Sequence, residues 1–408
     1  MKNRPELLSP AGDPERLTMA LTFGANAVYL AGTNFGMRGG CSNFSAEDLK
    51  NAVKACHEKN ARVHVTVNTL PRDDELPALP EYLEYLNDIG TDALIVADLG
   101  VFNLAKKYAP SCELHISTQT GIVNSASAEG WYDLGAKRVV LARELSMKEI
   151  ISIREHVPAE LEIETFIHGS MCVSFSGRCL LSNYMTGRDG NRGVCAQPCR
   201  WKYALCEEKR PGQYFPIYET QEGTYIMNSK DLCMIDHVPE LIDAGVDALK
   251  IEGRNKSSYY TAIVTNAYQH AISAAMAGEA LDPVWRDEVE KVSHRNYYTG
   301  FYFGIPGNSQ FYEESRYIRD WQISAVVESC DADGNALLSQ RNKFSVGAEL
   351  ELITPEGRPV PFTVGAMTDE EGTPLDSCPR PKQLLRMKLP EPAPVNSVLR
   401  RCTVGDPE

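Results

Sequence analysis

The residues best suited to chemistry are cysteines that cluster in one segment of the chain. Cys172, Cys179, Cys195 and Cys199 lie close together, Cys206 follows soon after, and Cys233 stands in the segment MNSKDLCMI. Several thiolates in one place are typical of a site for a soft metal. Structural zinc sites usually carry two short C-x₂₋₄-C pairs, whereas here only the Cys195–Cys199 pair is short. The looser spacing favours an iron–sulfur cluster; a set of incidental buried thiols is the alternative.

The segment around these cysteines is also basic. Its cationic residues are Arg178, Arg188, Arg192, Arg200 and Lys202. The whole chain carries a formal net charge of -14, which disfavours general binding to phosphates. The local contrast therefore indicates an anionic substrate or RNA, although solvated surface charge explains it equally well. A second basic stretch contains Arg380, Lys382, Arg386 and Lys388, with Arg400 and Arg401 beyond it.

Further polar residues lie at the ends of predicted strands, where a barrel enzyme places its chemistry. The candidate catalytic residues are His168, Lys250 and Glu252. Arg38, Arg143 and Arg254 are candidate substrate-binding residues, because a guanidinium can bind a carboxylate with two hydrogen bonds. Ordinary salt bridges at the barrel mouth, and a buried structural histidine, are the alternative interpretations.

Eight short β-like runs alternate with helical segments over the first 250 residues. The predicted strands are Glu6–Leu8, Ala27–Leu30, Arg62–Val67, Ala93–Ala97, Glu113–Ser117, Arg138–Ala142, Leu161–Ile167 and Ala248–Glu252. Asp13 and Ser45 are placed to cap the helices that follow them. Eight such units predict an α/β fold with a closed (β/α)₈ barrel of the TIM type. A doubly wound open sheet is the main rival, but no G-x-G-x-x-G follows the first strand.

The rhythm breaks after strand seven, where a cysteine-rich loop at residues 168–235 is inserted. Long loops in compact domains are usually functional. From about Trp321 the sequence changes to short alternating runs separated by turn signals such as DADG and TPEG. We therefore predict a catalytic barrel domain at residues 1–320 and a small antiparallel β-barrel at 321–408.

Composition is that of an ordinary globular chain, with 43% hydrophobic and 24% charged residues. The N-terminus lacks the apolar run of a signal peptide, and no segment has the roughly 18 apolar residues needed to cross a bilayer. We expect a cytoplasmic protein without membrane association. The 12 cysteines are then not expected to form a disulfide framework.

Several motifs carry a resemblance to a known family. They are ETFIHGSMCVSFSGRCLLS at residues 164–182, the opening ELLSPAG, and the segments RDGNRGVCAQPCRW, NSKDLC, LKIEGR and TGFYFG. Together they resemble the peptidase U32 family, also called collagenase-like proteases, over nearly the whole chain. Proteolysis is the activity that the family name implies, yet the sequence has neither H-E-x-x-H nor a G-x-S-x-G elbow.

The resemblance implies a different activity for this chain. It is similar to members that hydroxylate tRNA in a prephenate-dependent reaction with an iron–sulfur cluster, making 5-hydroxyuridine at the wobble position. Relatives hydroxylate ribosomal RNA or small molecules, and these substrates, together with a peptidase, are the alternatives. The resemblance assigns the cluster, expected to be 4Fe-4S, to Cys172, Cys179, Cys195 and Cys233, with Cys199 as an alternative ligand.

The same resemblance suggests roles for the cations. Prephenate is a dicarboxylate, which Arg143, Arg254 or Arg38 could bind. The basic loop with Arg192 and Arg200, together with the β-domain, could hold the anticodon arm of tRNA. The sequence leaves a protein partner and the oligomeric state undecided.

Overall fold

The computed structural model describes residues 3–36, 43–171, 181–188, 195–198, 204–206, 214–216, 230–304 and 318–404. The strands up to residue 300 are β1 (Glu6–Pro10), β2 (Ala27–Leu30), β3 (Arg62–Val67), β4 (Ala93–Val96), β5 (Glu113–Ile116), β6 (Arg138–Val140), β7 (Glu162–Ser170), β8 (Ala204–Cys206), β9 (Tyr214–Pro216), β10 (Asp231–Cys233), β11 (Ala248–Ile251) and β12 (Tyr297–Tyr298). The helices are α1 (Pro14–Thr22), α2 (Ala46–Glu58), α3 (Leu79–Asp88), α4 (Leu99–Tyr108), α5 (Ser125–Leu134), α6 (Met147–His156), α7 (Leu181–Thr186), α8 (Val238–Asp243), α9 (Ser258–Ala277) and α10 (Pro283–Glu290).

Strands β1 to β7 and β11 form a closed ring. Each of β1 to β6 pairs in parallel with the strand that follows it, and β11 pairs in parallel with both β7 and β1. Closure through β11 confirms the predicted (β/α)₈ barrel, because an open doubly wound sheet would leave two strand edges unpaired.

Local sequence signals explain where the helices begin. The Asp13 side chain accepts a hydrogen bond from the amide of Arg16 at the start of α1, as predicted. Ser45 and Ser146 form capping boxes with acidic residues three positions later, at the starts of α2 and α6. Such caps satisfy main-chain amides that the helix itself cannot pair. None of the helices in the described ranges is long and apolar enough to cross a membrane.

The inserted segment both leaves and rejoins the barrel at the C-terminal end of β7. Strand β10 is antiparallel to the end of β7 and pairs Cys233 with His168. Strand β12 then pairs in parallel with β10. Between β7 and β10 the structure describes α7, residues 195–198 and the antiparallel pair β8–β9. Because parallel barrel strands all end at one face, β10 lies at the face where barrel enzymes bind substrates.

The C-terminal region forms a separate curled antiparallel sheet. Its strands are β13 (Trp321–Cys330), β14 (Asn335–Gln340), β15 (Glu349–Ile353), β16 (Val360–Thr363), β17 (Met367–Thr368), β18 (Pro374–Leu375), β19 (Leu384–Lys388) and β20 (Val398–Cys402). They are ordered β16-β15-β20-β13-β14-β19-β17-β18, and a bridge between Ser345 and Ser377 links segments from opposite parts of the sheet. The sheet has its own apolar core, which includes Val327, Leu338 and Leu385. The predicted second β-rich region is confirmed; its boundary at residue 320 stays a prediction.

One buried ion cluster joins the two regions. Arg400 on β20 is fully buried, and its guanidinium lies 2.5 Å from the Glu288 carboxylate on α10 and 2.6 Å from that of Glu351 on β15. In the sequence, Arg400 lies just beyond the second basic stretch. In the structure it holds the β-sheet against the barrel and is not exposed.

Candidate active site at the barrel mouth

The barrel interior below the mouth is filled by paired charges. Nζ of Lys250 lies 2.7 Å from Glu164, and Arg138 lies 3.1 Å from the other Glu164 oxygen and 2.6 Å from Glu6. Burial by itself would raise the pKa of Glu164, but the Lys250 and Arg138 cations outweigh it and lower that pKa. Lys250, a predicted catalytic residue, is therefore placed within an ion-pair network beneath the mouth.

Two histidines lie in the same interior. The rings of His64 and His115 meet edge to face with centroids 4.7 Å apart, and both side chains are fully buried. Burial, together with the nearby Arg138 cation, lowers both pKa values well below the ordinary range, so both rings are neutral. Their nitrogens and a Glu164 oxygen lie within 4.8 Å of one another. Since Lys250 and Arg138 already neutralise Glu164, we interpret the trio as part of the ion-pair network and not as a metal site.

Arg143 and Glu252 meet at the mouth itself. The Arg143 guanidinium donates to the carbonyl of Ser170 at 2.9 Å, lies 3.4 Å from the Glu252 carboxylate, and stacks 3.8 Å from the centre of the Phe166 ring. The Arg143 side chain is 13% exposed and that of Glu252 is 12% exposed. The structure thus brings together one predicted substrate-binding residue and one predicted catalytic residue, with the arginine held from three directions.

Arg254 has a different environment from Arg143. Its guanidinium donates to Asn43 at 2.7 Å and to Thr66 at 3.4 Å, and the residue is only 3% exposed. The Arg254 carbonyl packs against Gly12 of the opening ELLSPAG motif, where a Cβ atom would lie 2.1 Å from the carbonyl oxygen. Arg254 therefore fastens the β1 and β2 loops to β11, which accounts for part of that motif.

A β-bulge separates His168 from the barrel interior. Lys250 pairs with Phe166 but the next residue, Ile251, pairs with His168, so one residue of β7 is skipped. Bulges re-aim the side chains that follow them, and His168 packs against three tyrosines instead of facing Glu252. Its Nδ1 lies 3.3 Å from the Tyr268 hydroxyl and its Nε2 lies 3.2 Å from the Tyr297 hydroxyl. The centres of the His168 and Tyr260 rings are 5.9 Å apart. Burial lowers the pKa of His168 well below its ordinary range.

Gly169 allows β7 to follow this path. Its φ is +101°, and a Cβ atom there would lie 2.3 Å from the carbonyl oxygen of Glu252. Only glycine combines that backbone angle with so close an approach. The glycine of the ETFIHGS motif is thus explained by backbone geometry.

Cys233 shares the tyrosine-lined side of β7 with His168. Its sulfur lies 3.9 Å from the Tyr268 hydroxyl and accepts a hydrogen bond from the main-chain amide of Ile235. Burial raises the pKa of the Cys233 thiol to about 11, and a metal ion that binds this sulfur must displace its proton. Cys195 is exposed, and the amide of Gln197 donates to its sulfur at 3.3 Å. Amide hydrogen bonds to sulfur are a feature of iron–sulfur ligation, so the donor chemistry of these two residues fits such a cluster.

The other predicted site residues lie outside the described residues. These are Cys172, Cys179, Cys199, Arg38, Arg192 and Arg200.

The sequence reasoning missed the aromatic residues of the site. Phe166 supports Arg143, and Tyr260, Tyr268 and Tyr297 surround His168. A signal was available for two of them, because SYYTAIVTNAYQH in α9 has almost no polar stripe and a helix of that kind is buried. The tyrosines of such a helix must find hydrogen-bond partners in the protein interior.

Comparison with known proteins gives consistent matches. The sequence model of peptidase family U32 matches residues 12–311, and that of the peptidase family U32 C-terminal domain matches residues 319–400. A Bacillus subtilis protein named tRNA hydroxylation protein P1 is 36% identical over 98% of this chain and 95% of its own. An Escherichia coli tRNA hydroxylation protein P is 35% identical over 97% and 96%. An Escherichia coli 23S rRNA 5-hydroxycytidine synthase is 40% identical over 67% of this chain and 40% of its own.

Proposed function

The chain belongs to peptidase family U32, and we propose that it is an RNA hydroxylase whose substrate is tRNA. The Bacillus subtilis tRNA hydroxylation protein P1 and the Escherichia coli tRNA hydroxylation protein P match nearly the whole chain, including the C-terminal sheet. The relative named for ribosomal RNA matches only 67% of it. This difference supports tRNA over ribosomal RNA. The finer proposal is prephenate-dependent conversion of wobble uridine to 5-hydroxyuridine.

One observation carries this proposal: a candidate metal ligand and a held cation lie on opposite sides of the same strand end. Cys233 pairs with His168 on one side of β7. Arg143 donates to Ser170, the last residue of β7, and stacks on Phe166 on the other side. A redox group and an anionic co-substrate bound at these places would lie on either side of the C-terminal end of β7.

Arg143 is the described cation best placed to bind a carboxylate of prephenate. It is already oriented by Ser170, Glu252 and Phe166, so little ordering is needed when a ligand binds. Glu252 lies beside it and is positioned to exchange a proton with a bound substrate. In this proposal Lys250 and Arg254 stabilise the barrel and its loops.

An iron–sulfur cluster, when bound, would supply one-electron redox chemistry. Cys172, Cys179, Cys195 and Cys233 would hold it, with Cys199 as the alternative to Cys195. The two of these cysteines that the structure describes fit that role, since both sulfurs accept main-chain amides.

A hydrolase with a nucleophile and a histidine base receives no support. All eight histidines lie in the described residues. Within those residues, no hydrogen bond joins a histidine to the side chain of a serine, threonine or cysteine; His168, for example, is held by tyrosine hydroxyls. A Ser–His or Cys–His enzyme requires such a pair within hydrogen-bond reach.

Analysis of tRNA nucleosides tests the proposed activity. The chain is expressed in an Escherichia coli strain that lacks all of its own wobble-uridine hydroxylation. Wild type should restore the 5-hydroxyuridine-derived nucleosides, Cys233→Ala should not, and Cys56→Ala should behave as wild type because Cys56 is a lone buried thiol. Soluble wild-type protein that restores nothing, or a fully active Cys233→Ala variant, would contradict the proposal.

Metal analysis tests the cofactor separately. Anaerobically purified wild type should contain stoichiometric iron and sulfide, which Cys172→Ala and Cys233→Ala should lose. A colourless protein, or one that holds only zinc, would remove the redox mechanism.

A further inference from the structure

Tyr268 lies at the centre of a hydrogen-bonded group next to Cys233. It projects from α9, and its side chain is fully buried. Its hydroxyl accepts the amide of Met234 at 3.0 Å and lies 2.9 Å from the carbonyl oxygen of Ile167 and 3.9 Å from the Cys233 sulfur. The Met234 amide also donates to the Ile167 carbonyl at 2.9 Å. One phenol therefore ties together β7, the end of β10 and the cysteine.

His168 and Tyr297 continue this group away from the cysteine. The neutral His168 ring contacts Tyr268 through Nδ1 at 3.3 Å and Tyr297 through Nε2 at 3.2 Å. The Tyr297 hydroxyl also lies 2.9 Å from the carbonyl oxygen of Val289, so that carbonyl and Nε2 of His168 are alternative acceptors for its proton. A buried polar chain of this kind is costly unless each member has a partner.

We propose that Tyr268 is a positioning residue for the Cys233 sulfur and that His168 and Tyr297 hold its hydroxyl in place. The inference rests on the proposed function, since it assigns these residues to the cluster ligand. The Tyr268 hydroxyl has one proton and three acceptors within reach: the Ile167 carbonyl, His168 Nδ1 and the Cys233 sulfur. When Nδ1 of His168 carries the ring proton, Nε2 accepts the proton of the Tyr297 hydroxyl and Nδ1 donates to the Tyr268 oxygen. The phenol proton of Tyr268 is then left for the Ile167 carbonyl or the Cys233 sulfur.

The charge on the sulfur decides between those two acceptors. A metal-bound thiolate is a far better acceptor than a neutral thiol, because hydrogen bonds to ionised groups are stronger. A donor at the sulfur favours the reduced cluster, which carries one more negative charge, and hydrogen bonds to sulfur are one of the factors that set cluster potentials. Outer hydrogen bonds of this type also contribute to metal affinity.

Tyr268→Phe tests the inference directly. The variant and the wild type are purified without oxygen, and the midpoint potential is measured by redox titration with electron paramagnetic resonance. We expect a lower midpoint potential and roughly 10-fold faster release of iron to a chelator. Tyr259→Phe is the matched control, since Tyr259 lies on the same helix and its buried hydroxyl donates to the main-chain carbonyl of Lys291, away from Cys233.

The outcomes separate this inference from the proposed function. Wild type without iron and sulfide overturns both. Wild type with a cluster whose potential and iron release are unchanged in Tyr268→Phe overturns the positioning role alone. If Tyr268→Phe does not fold, Tyr297→Phe decides: a smaller shift in the same direction supports the hydrogen-bonded chain, and no shift overturns it.

Discussion

The two sides of strand β7 satisfy buried polar groups in opposite ways. Inside the barrel, Glu164 is ionised and lies between Lys250 and Arg138. On the helix side, His168 is neutral and lies between two tyrosine hydroxyls, next to Cys233. The ion pairs of Glu164 stabilise the barrel, but their charges already compensate one another, so binding a further ion there brings no electrostatic gain. The neutral group around His168 keeps a hydroxyl proton that can be donated to the Cys233 sulfur when that sulfur becomes negatively charged.

The largest expected effect is a loss of stability when the ion pairs of Glu164 inside the barrel are disrupted. Glu164→Gln removes a buried negative charge and leaves the buried Lys250 without its carboxylate partner, while Arg138 keeps Glu6 and Glu162. We therefore expect the free energy of unfolding to fall by about 3–5 kcal/mol. Glu162→Gln is the control, because Glu162 lies on the same strand and also pairs with Arg138 but is 24% exposed; it should cost about 1 kcal/mol or less. Denaturant unfolding measures both, and equal losses would contradict the distinction.

A smaller effect, on catalytic efficiency, is expected from a change to Arg143 at the barrel mouth. Arg143→Lys keeps the charge but cannot both donate to Ser170 and stack flat on Phe166, since lysine lacks the planar fork. We expect roughly a 10- to 100-fold fall in kcat/KM, or about 1.4–2.7 kcal/mol, with much of it in KM for prephenate. Arg154→Lys is the control because Arg154 donates to main-chain carbonyls just before β7. Unchanged kinetics would remove Arg143 from the site.

The smallest effect is on the pH dependence of stability. It arises from His115, a neutral group inside the barrel next to the ion pairs. Burial, followed by the Arg138 cation, keeps the pKa of His115 well below its ordinary range. Below the unfolded pKa of about 6.5, the unfolded chain gains a proton at this residue that the folded protein does not accept. Stability is therefore lost as pH falls, by about 1.4 kcal/mol per pH unit for one such histidine.

His115→Gln should flatten that dependence by the same amount. His57→Gln is the control, since His57 is 46% exposed. Unfolding in urea at several values between pH 5 and 8 provides the measurement. An identical slope in wild type and His115→Gln would mean that His115 protonates in the folded barrel.

Much of the scaffold follows from local sequence. Each of the eight predicted barrel strands overlaps an observed one, because alternating helices and short β-branched runs specify parallel strands without knowledge of distant contacts. The cap at Asp13 also depends only on its neighbours. The resemblance to the U32 family rests on motifs that can be read in order along the chain, and the matches of the family models bear it out.

Side-chain direction at the strand ends required the tertiary structure. Alternation along a strand would put His168 on the same face as Glu164 and Phe166. The bulge against β11, a strand roughly 80 residues later, turns it to the tyrosines instead. In the same way, Lys250 near the end of β11 pairs with a carboxylate from β7, whereas Arg143 just after β6 reaches the mouth. Sequence determined which residues could do chemistry, and the register between distant strands decided which of them face the mouth, because pairing partners are set by closure of the barrel and not by any local pattern.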